Sequence, residues 1–98
     1  MITDARISVT SNPRGDGNSF TLNVQGNYSY YACEIYVWDT SDSYEAFSEG
    51  YVDTLTSSNS RLTIYEASAR LYVYTVIYPY DEYGRYGDYF ICRGTNVG

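Results

Sequence analysis

Residues 71–80 read LYVYTVIYPY, and the reading of this stretch decides the fold. Leu71, Val73, Thr75 and Ile77 fall on one side of a period of two, and Tyr72, Tyr74, Val76 and Tyr78 on the other. A helix would repeat its apolar residues three and four apart; strict alternation marks a strand with two distinct faces. Both faces are apolar, so the sequence leaves open which one is buried.

The same period runs through the rest of the chain. Ala5, Ile7 and Val9 alternate in ARISVT, and Phe20, Leu22 and Val24 in SFTLNVQG. YYACEIYVWD sets Tyr31, Cys33, Ile35 and Val37 against Glu34, Tyr36 and Trp38. FSEGYVDTLT is a weaker run from Phe47, RLTIY carries Leu62 and Ile64, and DYFICRG sets Phe90 and Cys92 against Tyr89 and Ile91. Between the runs lie NPRGDGN, QGNYS, TSDS, SSNS, EASA and PYDEYGRYG, rich in the residues that make turns. YEASARLY has the composition of a single helical turn joining two strands. Seven short strands in a chain of 98 residues predict a single antiparallel β-sandwich domain spanning 1–98, with a jelly roll or small β-barrel as the alternative.

Composition narrows the function. There are 12 acidic residues against 6 arginines, with no lysine and no histidine, for a net charge of −6. Schiff-base chemistry, a phosphate-loop lysine, histidine-dependent nucleophiles and histidine-ligated zinc are all excluded. An acidic chain is also a poor partner for nucleic acid, whose phosphates need a basic surface. No run approaches the ~18 apolar residues of a membrane span, and MITDARISVT lacks the basic and apolar regions of a signal peptide. The acidic groups Asp39, Asp42, Glu45 and Asp81, Glu82, Asp88 do not follow an EF-hand spacing, so neither a metal nor a cofactor is expected. No catalytic residue is expected either.

The passages SFTLNVQGNYSYYACEIYVWD (19–39) and RLTIYEASARLYVYTVIYPYDEYG (61–84) resemble immunoglobulin-like and fibronectin type III domains. The resemblance implies a sandwich with strands A, B, C, C′, E, F and G, in which the B–C and F–G loops share one end. Trp38 closes the C run, and Cys33 and Cys92 fall in C and G. The B–F disulfide of immunoglobulin domains is therefore not implied. Two alternatives stay open for the cysteines. A bridge would close a loop over most of the chain and contribute roughly 4 kcal/mol; without it they are two buried thiols.

Half of the 14 tyrosines lie between 71 and 90. Those within strands suit a solvent-facing sheet surface. Tyr80, Tyr83, Tyr86 and Tyr89 lie in or beside a loop where no strand requires them, with Arg85 among them. Tyrosine beside glycine and aspartate, with arginine, is the composition of a recognition surface. Tyr28, Tyr30, Tyr44 and Phe47 from two other loops are expected to complete a contact patch for a protein or carbohydrate partner. Arg14, Gly15 and Asp16 form an RGD tripeptide in a turn, a second candidate contact through adhesion, and Asn27–Ser29 is a glycosylation sequon. The expectation is a non-catalytic module that assembles through its tyrosines onto a larger protein particle, such as a viral or phage capsid or tail. The alternative is an extracellular adhesion or recognition domain.

Overall fold

The structure, a computed structural model, describes residues 1–40, 42–65 and 71–95. Seven strands and one helix occur among them: β1 (Ile2–Ser11), β2 (Asn18–Gly26), β3 (Tyr30–Trp38), α1 (Ser43–Glu49), β4 (Tyr51–Thr56), β5 (Arg61–Ile64), β6 (Tyr72–Tyr80) and β7 (Phe90–Thr95). They form two antiparallel sheets, one in the order β1-β2-β5 and the other β4-β3-β6-β7. The architecture is all-β and sandwich-like. The helical turn read at YEASARLY falls mostly on 66–70, outside the described residues.

The alternation read from the sequence is the partition between core and surface. Phe20 and Leu22 of β2 and Ile64 of β5 meet Tyr31, Cys33, Ile35 and Val37 of β3, Leu55 of β4, Val73 and Ile77 of β6, and Cys92 of β7 in one cluster. Each fully buried aliphatic side chain contributes roughly 1.5–3 kcal/mol by leaving water, so this inner set carries most of the driving force. Thr75 is polar yet fully buried. Its hydroxyl donates to the Cys92 carbonyl at 2.7 Å, which offsets the desolvation penalty of an unpaired hydroxyl.

The two sheets also meet along one side. Gly94 of β7 lies under Ile7 of β1, close enough that a Cβ at 94 would stand 3.1 Å from the Ile7 Cβ. The Cys92 thiol donates to the Ala5 carbonyl at 3.2 Å. Cys33 and Cys92 are free, buried thiols, each on a strand flanking β6, with Ile77 beside Cys33 and Thr75 beside Cys92. The disulfide alternative is therefore not realised, because a whole strand separates the two.

The run FSEGYVDTLT is not one strand. Its first residues belong to α1, and β4 begins only at Tyr51. The local chemistry explains this. The Asp42 carboxylate caps the helix by accepting the Tyr44 N–H at 3.0 Å, Glu45 lies in the first turn, and the Gly50 N–H closes the end on the Ala46 carbonyl. Ala46 is buried, which anchors the helix to the body of the molecule.

Candidate interaction surface

The inner residues of β3 and β6 are spent on the core, so their alternate residues form the outer face of the four-stranded sheet. On β3 these are Tyr30, Ala32, Glu34, Tyr36 and Trp38. Register sets them opposite Tyr80, Tyr78, Val76, Tyr74 and Tyr72 of β6, in that order. Cross-strand neighbours on one face touch, so this register gathers aromatic rings that are far apart in sequence.

Two aromatic clusters result. At the end where β6 enters its loop to β7, Tyr30 and Tyr80 stack with ring centres 4.8 Å apart and planes 8° from parallel. Tyr86 leans on Tyr80 at 5.9 Å and meets Tyr78 at 6.0 Å with planes at 87°. Tyr89 completes this cluster at 6.1 Å from Tyr78. Toward the other end of β3, Phe47 of α1 packs edge-on against Tyr36 at 4.5 Å and Tyr74 at 5.4 Å, and Tyr44 touches Phe47. The Arg93 guanidinium lies 4.9 Å above the Tyr74 ring.

The loop from Asp81 to Tyr89 is shaped by one carboxylate. Asp81 accepts the backbone N–H groups of Tyr83 and Arg85 and the Arg85 Nε, at 2.9, 3.0 and 3.1 Å. The N–H of Arg85, then that of Tyr83 and the guanidinium, hold its carboxyl below the usual carboxylate range. Gly84 takes φ +78°, a conformation that most side chains resist. Arg85 sits 5.2 Å from the Tyr83 ring centre. Tyr83, Tyr86 and Tyr89 are left 74%, 68% and 60% exposed.

The expected patch is therefore only partly assembled. Tyr30, Tyr80, Tyr86 and Tyr89 come together on the sheet face, and Tyr83 with Arg85 projects beside them. Tyr44 and Phe47 do not join, since α1 follows the far end of β3. Tyr28 does not join the stack, although it lines a neighbouring cavity with Tyr80, Arg85 and Tyr86. Its ring packs edge-on against the buried Tyr31 and its hydroxyl donates to the Val24 carbonyl at 2.8 Å, so it is a packing residue. Arg14, Gly15 and Asp16 are exposed at the tip of the β1–β2 hairpin, closed by the Asn12 N–H on the Gly17 carbonyl. β2 runs from that tip to the loop before Tyr30, so the tripeptide lies at the opposite end from Tyr30 and Tyr80.

Against the first cluster, on its β4 side, lies a groove of about 340 Å³, lined by Ala32, Glu34, Thr54, Tyr78, Tyr80 and Tyr86, with Cys33 below. The Tyr36 hydroxyl donates to Glu34 Oε2 at 2.7 Å. That hydrogen bond, with partial burial, pushes the Tyr36 phenol up to about 12. The sequence reading missed Ala32, Glu34, Tyr36, Tyr74 and Tyr78 as site residues. Their outward alternation was visible, but the pairing that brings them together was not. Among the described residues no group of acidic or cysteine side chains is placed to hold a metal ion. No protein-family model matches the chain, and no curated protein or solved structure does either.

Proposed function

We propose that the chain is a non-catalytic interaction module that docks a protein through the tyrosine-rich outer face of its four-stranded sheet and the adjoining 81–89 loop. The observation that supports it is the exposure of Tyr83, Tyr86 and Tyr89 beside the Tyr30–Tyr80 stack. Large rigid rings left in water beside an arginine are the usual anchors of protein interfaces, where a few such residues dominate affinity. The order β1-β2-β5 over β4-β3-β6-β7 supports an immunoglobulin-like or fibronectin type III-like reading of the single domain, with the strands as A, B, E and C′, C, F, G. We infer assembly onto a larger particle, such as a virion, as the setting for a small acidic module with this aromatic face.

The double change Tyr83→Ala with Tyr86→Ala tests it. Both rings are mostly exposed, so the unfolding temperature should stay nearly constant. Sedimentation at rising concentration reads self-association, and retention on immobilised chain reads a second protein. A complex by either route should weaken by more than ~2 kcal/mol in the double variant. A complex of unchanged dissociation constant, or none for the parent chain, sinks the reading. Exposure of Arg14 and Asp16 favours a second reading, adhesion at the RGD turn, and Asp16→Glu in the same assay separates the two.

A further inference from the structure

We propose that the groove over Ala32 is a cation notch that seats an arginine side chain of the protein partner. The inference rests on the interaction face described above and names what that face recognises.

Shape is the first ground. Ala32 is the small floor of the groove, and Tyr78, Tyr80 and Tyr86 are its walls. The Tyr78 and Tyr86 planes stand at 87° and those of Tyr80 and Tyr86 at 55°. Rings inclined this steeply close a corner. A pyranose ring stacks best on one open, flat aromatic face, whereas a compact planar cation is contacted favourably by several rings at once.

Charge is the second ground. Among the described residues, Glu34 is the only charged one lining the groove. Its Oε2 is held by the Tyr36 hydroxyl, and no other side-chain donor reaches the carboxylate among the described residues. The carboxylate is thus oriented and still has lone pairs to offer. The arginines nearest the face are engaged elsewhere, Arg93 on Tyr74 and Arg85 on Tyr83 and Asp81. A cation on this carboxylate would therefore be supplied by a partner, and the net charge of −6 draws a basic one.

Arginine fits better than lysine. Its planar guanidinium stacks on a phenol while forming paired hydrogen bonds to a carboxylate, which a point-like ammonium does not. Arg93 over Tyr74 shows the stacking half of this recognition on the same face.

The experiment is an amide-resolved NMR titration of the intact chain with a peptide of alternating glycine and arginine. The same peptide with citrulline or with lysine, and cellotetraose, serve as comparison ligands. The arginine peptide should shift Ala32, Glu34, Thr54 and Tyr78 amides; the lysine peptide should do so more weakly, and citrulline and the sugar should not. Glu34→Gln should weaken binding about tenfold, while Asp39→Asn, an equal charge loss on an exposed residue, should change it less than about twofold. Ala32→Leu, which fills the floor and leaves the carboxylate alone, should abolish it. Equal binding of the citrulline peptide, sugar binding in place of arginine, or Glu34→Gln behaving like Asp39→Asn overturns the notch. If the notch fails while the Tyr83/Tyr86 double variant still loses its complex, only the notch falls. If the double variant loses nothing, the face itself falls.

Discussion

The inner position of Cys33 is open to a test that needs no partner. Cys33 is 1% exposed, and desolvation, reinforced by the nearby Cys92 and Glu34, pushes its thiol up to about 12. In an unfolded chain the thiol titrates near ~8.5. Above that pH the unfolded state sheds a proton that the folded state keeps, so the folded state binds more protons and stability falls as pH rises. The contribution is fully present below pH ~8.5 and declines by ~1.4 kcal/mol per pH unit until the folded thiol ionises. Between pH 8 and 10.5 that amounts to about 2.5 kcal/mol. Tyrosines ionise over the same range, so the measurement must be a difference. Cys33→Val keeps the approximate volume and strand preference but removes the titration. Urea unfolding followed by the single tryptophan, Trp38, gives both stabilities at each pH. The parent chain should lose about 2.5 kcal/mol relative to Cys33→Val across the window. A difference that stays flat within ~0.5 kcal/mol would mean the thiol is solvated. β3 would then be assigned to the wrong faces, because a one-residue slip turns every side chain over and would turn Ala32, Glu34 and Tyr36 inward and Cys33 and Ile35 outward.

Two further outcomes are expected. Ile77→Ala, at a fully buried position, should cost about 2–5 kcal/mol in urea unfolding, whereas Val76→Ala, on the outer face next to it, should cost less than ~1 kcal/mol; equal losses would contradict the layer assignment. The lowered Asp81 carboxyl contributes its hold on the 81–89 loop above the ordinary carboxylate range and loses it as pH falls through the folded value. The Tyr83 and Arg85 amide resonances should therefore move together with a midpoint below ~3.9, and a midpoint at or above this would refute the turn as described.

Much of the fold was legible because a strand's side chains alternate wherever it lies. Phe20 and Leu22 of β2 and Cys33 to Val37 of β3 are buried in alternation as their pattern implied, whereas for 71–78 the alternation gave two faces without saying which of them, that of Leu71, Val73, Thr75 and Ile77, goes inside. The helix α1 was not, since Asp42 and Glu45 sit among turn residues and Phe47 reads equally well as the start of a strand. The Asp42 cap and the burial of Ala46 decide it.

The candidate site was legible only in its loop. Tyr83, Arg85, Tyr86 and Tyr89 stood out by composition, because no strand called for them. That Tyr30 stacks on Tyr80, that Ala32 leaves a hollow beneath Tyr78, and that Glu34 lines the hollow beside Tyr36 are facts of register. Register depends on which residues of two distant strands lie side by side, and it is chosen by the core on the opposite face. Taken alone, the sequence determined that the chain makes two-faced strands and leaves phenol rings over. The tertiary structure decided which face of residues 71–80 is inside and which rings meet, since only closing the two sheets over a shared core makes one of two apolar faces the buried one.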